Sequence, residues 1–187
     1  MTETITDLNT KCYNQSMLIL GIDPGTATTG YGLVETNGGS ALAVVKYGLI
    51  ETGKDGTPEK RLAIIHRQLT SIIDKYKPDV MAIEMLFFAT NAKTAMRVGQ
   101  ACGAIMLSAA HSHLPLVEYA PCKIKKTVTG SGRADKDAIQ KSVREHLGAA
   151  VRKVKGKKTH FDNTADALAV AICHIKELEG VITSGQN

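Results

Sequence analysis

The chain has no tryptophan and only 4% aromatic residues, which excludes recognition built on long ladders of rings stacked against bases. Its four cysteines, Cys12, Cys102, Cys122 and Cys173, form no Cys-x-x-Cys pair and are too sparse for a disulfide framework. A reduced, cytoplasmic protein with incidental thiols is expected. No apolar run approaches the roughly 20 residues of a membrane helix, so no membrane partner is expected. The first sixteen residues, MTETITDLNTKCYNQS, lack the apolar segment of a secretory signal. Acidic charge is scarce in one region only. From Lys123 to Lys158 there are twelve Lys or Arg against three Asp or Glu, a local net of +9 that leaves −4 for the rest of a +5 chain. Such segregation points to a polyanionic partner, with a plain solvated basic surface as the alternative on charge alone.

What is present suits one globular domain: 187 residues, 43% apolar and 22% charged. Residues 1–16 are polar and aperiodic and read as a disordered leader, 17–178 as a single domain and 179–187 as a flexible tail. Met17–Asp23 is a short apolar run stopped by Pro24-Gly25, a buried strand. Gly30–Thr36 and Ala41–Glu51 follow, joined through Asn37-Gly38, a hairpin signal, so the opening is a three-stranded meander. Thr57-Pro58-Glu59 starts a helix, with Thr57 as its cap, and Lys77-Pro78 ends it. Asp79–Glu84 and Leu116–Tyr119 read as strands, and Asn91–His111 as a helix rich in Ala, Gly and Met. Pro121 opens a short basic helix, Thr129–Ala134 is a loop, and Asp135–Leu147 a further helix. A basic linker over Ala149–Thr159 leads to a final helix from about Asp162 to Glu177. The order predicts an α/β protein with a mixed five-stranded sheet flanked by helices.

Three acids stand in unusual places. Asp23 ends the first strand and Glu84 the fourth; a crossover between them makes the two strands parallel and brings both carboxylates to one sheet edge. Asp166 lies inside TADALAVAIC, where a charge is costly unless compensated. Taken singly, each has an ordinary reading: a turn residue before Pro-Gly, a solvated strand end, a carboxylate compensating a helix dipole in its first turn. Together, beside a basic half-chain, they point to a site for hard divalent cations such as Mg²⁺ or Mn²⁺.

The segments ILGIDPGTATTGYGLVE, AIEMLFFATNAKTAMRVGQACG, YAPCKIKKTVTGSGRADK and ADALAVAICH resemble, in order, the motifs of the RuvC family of Holliday-junction resolvases. The likeness runs from about Met17 to His174. It implies an RNase H-like fold and a homodimer that nicks four-way junction DNA symmetrically with Mg²⁺, alongside the RuvA–RuvB branch-migration complex. Carried over by position, Asp23, Glu84 and Asp166 match three acidic metal ligands. The family's fourth ligand, Asp or His, falls on Asn163, with Asp162 one residue out of register. Phe87 matches an aromatic that works at the junction's bases, with a core phenylalanine as the alternative. Lys125 and Lys136 match basic residues that hold DNA; Arg97 and Arg133 are expected as further phosphate contacts. Asn163 has three readings: a substitution that traps an uncut complex, a natural variant helped by Asp162 or His160, or the cap of the last helix.

Two other functions stand beside this one. IDPGTATTG is also similar to the phosphate-gripping hairpin of actin and sugar-kinase-like ATPases. Those folds use two such domains, and no second phosphate loop is found in this chain. A junction-binding protein with impaired cleavage is the other, with Asn163 as its main support.

Overall fold

A computed structural model describes residues 16–37, 41–53, 56–85, 92–148, 151 and 158–184, with the side chains of 158–162 and 181–184 left out of the description. Five strands, β1 (Ser16–Asp23), β2 (Thr28–Asn37), β3 (Leu42–Glu51), β4 (Val80–Glu84) and β5 (Leu116–Tyr119), form one mixed sheet in the order β3-β2-β1-β4-β5. The first three pair antiparallel, as a meander does, whereas β1–β4 and β4–β5 are parallel. The helices are α1 (Pro58–Tyr76), α2 (Ala92–His111), α3 (Pro121–Thr129), α4 (Lys136–Leu147) and α5 (Lys158–Ser184). Among the described residues, no helix is long and apolar enough to cross a membrane.

Strand alternation divides the core. Leu20 and Ile22 of β1, with Met81 and Ile83 of β4, face α1 and α2. Met17 and Ile19, with Val80 and Ala82, face the layer of α3, α4 and α5. Asp23 and Glu84 share the parity of this second set, so both strands end with a carboxylate on the α5 side.

Local chemistry sets the element ends. Lys77 adopts a left-handed backbone (φ 50°) just before Pro78, and its N–H closes α1 on Ile73 O at 2.8 Å. Asp135 caps α4 by accepting from Ala138 N at 2.8 Å. Thr57 holds the cap position of α1 but makes no capping bond; its hydroxyl donates to the Glu59 carboxylate instead. The last helix departs most from expectation. It begins at Lys158, within the stretch read as a linker, and continues to Ser184, so residues 179–184 extend a helix where a tail was expected.

α5 lies unusually close to the sheet, and glycines make that possible. A Cβ on Gly21 would stand 2.2 Å from Ala167 O, and one on Gly30 would stand 2.2 Å from Asn163 O. Both clashes are with helix backbone, which cannot rotate away. Ala167 and Ala171, both buried, keep the helix side equally thin. Gly21→Ala is therefore expected to destabilise the fold by about 3 kcal/mol, at the upper end of overpacking costs. Gly180→Ala, where a Cβ meets nothing within 4 Å, should stabilise by about 0.5–1 kcal/mol. Urea unfolding of the two variants, compared at equal slope, checks both.

Candidate active site

In the β1–β4 register Ile22 stands opposite Ile83. The next residues, Asp23 and Glu84, therefore end adjacent parallel strands on the same face. α5 crosses that face with Asp166, half-buried, turned toward them. The three acids feel one another strongly. Burial, then the charges of Asp166 and Glu84, push the Asp23 carboxyl up to about 8, against an opposing pull from Lys136. Burial and then Asp166 push Glu84 up to about 7, opposed by Lys125 and Lys136. These two lysines come from α3 and α4, and both line a cleft of about 240 Å³ with Glu84 and Asp166. Ile124, Ile139 and Ala169 supply its apolar wall.

The structure thus brings Asp23, Glu84, Asp166, Lys125 and Lys136 to one place. Asp166 lies eight residues after the start of α5, beyond the first turn where a helix dipole acts on a carboxylate. The dipole reading of this residue therefore fails. The cap reading of Asn163 fails for the same reason, since that residue is inside the helix. Its main-chain carbonyl packs on Gly30, the β2 partner of Asp23. Position 163 is therefore beside the strand pair that carries the first acid, and three residues before Asp166 it shares that residue's helix face. Arg97 is exposed on α2 and lines a separate cleft with Thr26 and Arg61. Arg133 is exposed in the turn between α3 and α4. Phe87 and the side chains of Asp162 and His160 lie outside the described residues. Sequence reasoning missed the apolar wall. Ile124 and Ile139 carry only the ordinary helical periodicity, which does not distinguish a cleft from a core.

The donors suit a hard divalent cation. Burial and the charges of neighbouring acids oppose the ionisation of Asp23 and Glu84, and a cation is the partner that reverses both penalties. Among the described residues, no three His, Cys, Asp or Glu side chains already stand as a closed metal-binding group. The acids are electrostatic neighbours on the α5 side of the sheet.

The family model for crossover junction endodeoxyribonuclease RuvC matches residues 19–174. The chain belongs to the RuvC family. A RuvC of Caldicellulosiruptor saccharolyticus is 46% identical over 89% of this chain and 96% of its own, and one of Moorella thermoacetica 49% identical over 84% and 90%. A Thermus thermophilus RuvC solved in complex with a Holliday junction substrate superposes with a TM-score of 0.77 at 28% identity, covering 88% of this chain and 96% of that one. The yeast mitochondrial Holliday junction resolvase Ydc2, at 14% identity and a TM-score of 0.70, covers 97% and 89% and shares the fold. The fold is RNase H-like, as expected for a RuvC family member.

The raised carboxyl values give stability a definite pH dependence. A buried carboxyl with a folded value of about 8 against an ordinary 3.8 costs folding free energy that grows as pH rises from the lower value to the higher. Below the ordinary value the cost vanishes. In the absence of divalent cations, Asp23→Asn should therefore stabilise the protein, by on the order of 3 kcal/mol at pH 8 and much less at pH 4.5. Denaturant unfolding at the two pH values in chelator measures it; an equal or larger gain at pH 4.5 would contradict the assignment.

Proposed function

We propose that this chain is a structure-specific endodeoxyribonuclease that binds four-way junction DNA as a homodimer. In this reading it nicks two symmetry-related strands with Mg²⁺, for which Mn²⁺ can substitute, and works beside the RuvA–RuvB branch-migration complex. The observation that carries the reading is the convergence of Asp23, Glu84 and Asp166 on one face of the sheet, next to Lys125 and Lys136.

In this reading Asp23, the most central acid, would hold the divalent cations together with Glu84 and Asp166. Asn163 would lend a neutral amide oxygen at the position where the family resemblance implies an Asp or His. Divalent cations, when bound, would supply an activated water and stabilise charge on the leaving oxygen. The chain's own task is placement. Lys125 and Lys136 hold a phosphate over the acids from two different helices, and their charge also favours the ionised form of Glu84. Arg133, on the turn between those helices, extends the same positive surface. Such contacts orient the strand without reading sequence; Phe87 is assigned to the bases at the crossover. The dimer is assigned to α2, which exposes Met96 (70%), Met106 (41%) and Leu107 (47%), since a two-fold pair presents one site to each of two equivalent strands.

The test uses a synthetic four-way junction. Asp23→Asn is expected to abolish nicking and leave junction binding within about twofold. Lys125→Ala should weaken binding and reduce its salt slope by about one. Normal cutting by Asp23→Asn would overturn the site. Binding without any cutting by the unaltered chain in Mg²⁺ or Mn²⁺ would favour a junction-binding protein. Asn163→Asp should raise the cleavage rate or lower the Mg²⁺ required, because it restores a charged oxygen one turn from Asp166. An unchanged Mg²⁺ dependence would remove position 163 from the ligand set. Sedimentation at micromolar concentration is expected to give a dimer that Met96→Glu converts to monomer.

A further inference from the structure

α5 crosses the sheet, and its anchors differ from one end to the other. At Asn163 it rests on Gly30 of β2, and at Ala167 and Ala171 on Gly21 of β1, backbone against backbone. The described glycines that admit α5 all lie in these two strands. Toward β4 and β5 the helix is met by side chains instead. Tyr119 ends β5 and is the register partner of Glu84, so both side chains leave the sheet on the α5 face. The Tyr119 hydroxyl shares a hydrogen bond of 2.7 Å with Nδ1 of His174 on α5, a residue only 6% exposed. The main chain of Tyr119 is tied as well. Its carbonyl accepts from Met85 N at 2.8 Å, directly after Glu84. One residue therefore holds both the strand end that carries Glu84 and the helix that carries Asp166.

The backbone contacts at β1 and β2 set Asp166 against Asp23, but they do not reach β4. Val80, Ala82 and Val117 share the apolar cluster of α5; apolar contact is non-directional, whereas a short hydrogen bond fixes both distance and direction. The tie also adds no charge beside the acids. Burial pushes the His174 imidazole down to about 4, and burial, then Cys173 and Glu177, hold the Tyr119 hydroxyl above its ordinary value. Both groups are thus neutral across the range in which the acids titrate. We infer that the Tyr119–His174 hydrogen bond sets the separation of Glu84 from Asp166, and with it how well the two acids hold a divalent cation together. The inference rests on the cation-dependent reading above and adds two residues to it. Tyr119 and His174 are positioning residues, since neither lines the cleft of the acids.

The test is cation binding by the full-length protein without DNA, with Mn²⁺ as the probe and its paramagnetic resonance signal as the readout. Asp23→Asn identifies the part of that signal due to the acids. Tyr119→Phe removes one oxygen and is expected to weaken Mn²⁺ binding about tenfold, at the lower end for groups that hold ligands in place. His174→Asn carries an amide at the reach of Nδ1 and should keep the affinity within about twofold. Tyr119→Phe combined with His174→Leu makes both sides apolar, which should recover most of the urea stability that Tyr119→Phe loses. Its Mn²⁺ affinity should nevertheless stay as low as that of Tyr119→Phe. Recovery of stability and affinity together would reduce the pair to a packing contact and overturn the inference. Ile73→Val, in the core on the other face of the sheet, lowers stability through a lost methyl group and should leave Mn²⁺ binding unchanged; a matching loss there would also overturn it. Absence of Mn²⁺ binding by the unaltered chain would overturn the cation reading itself. Normal binding by that chain and by Tyr119→Phe alike would overturn only the tie.

Discussion

Close packing of α5 on β1 and β2 is the constraint from which the rest of the structure follows. The contact is between backbones: Gly21 faces the main chain of Ala167 and Ala171, and Gly30 faces that of Asn163. Gly32 in the same strand as Gly30 admits the Leu168 side chain. A helix held at that distance cannot shift by a fraction of a turn without collision. Position 166 is therefore fixed against the ends of β1 and β4. The glycines that allow the approach and the acid that profits from it are far apart in sequence, yet they meet as one interface.

The same interface forces charges together. Asp23 and Glu84 are carried to the α5 side by strand alternation, and α5 brings the third acid to meet them. The protein tolerates this at the expense of ionisation, as the raised carboxyl values of about 8 and about 7 record. Two lysines offset part of the charge, and both reach in from the helices α3 and α4 that form the cleft wall. That wall is itself tied to α5. Lys123 pairs with Glu177 at 2.8 Å, Thr127 donates to the same carboxylate at 3.1 Å, and Tyr119 Oη meets the buried His174 Nδ1 at 2.7 Å. A site that gathers carboxylates whose charge is only partly offset is costly to stability.

Much of this is legible in the amino-acid sequence. The meander, the parallel β1–β4 pair and the helix order follow from hydrophobic periodicity and turn chemistry, which are local signals. Asp23 and Glu84 stand out because a charged residue closing an apolar strand breaks the strand's own pattern. Asp166 stands out because it interrupts a run of buried alanines. Asn163 is harder. Asparagine is a good helix cap, and residues before it carry no apolar stripe, so a local reading starts the helix at about Asp162, whereas it begins at Lys158. The extension past Glu177 to Ser184 is equally hidden, because Gly180 reads locally as a helix stop. Arg97 reads as one more basic residue near DNA, and its place in a separate cleft with Arg61 is not legible. The two positions lie on different helices, and only the packing of α1 on α2 brings them together.

Which residues could carry the chemistry is written locally, because the cost of a carboxylate in an apolar run is a property of the chain around it. The four motifs in order likewise identify the family. Which of these residues act together depends on how the segments pack. Strand parity selected the α5 face for two of the acids, and the lack of a Cβ at Gly21 and Gly30 let a helix backbone come near enough to supply the third. The faces of the sheet then separated the lysines at the acids from Arg97 on the other side. Proximity across a sheet depends on register and on interlayer distance, and both are set by contacts between segments that no local stretch of sequence contains.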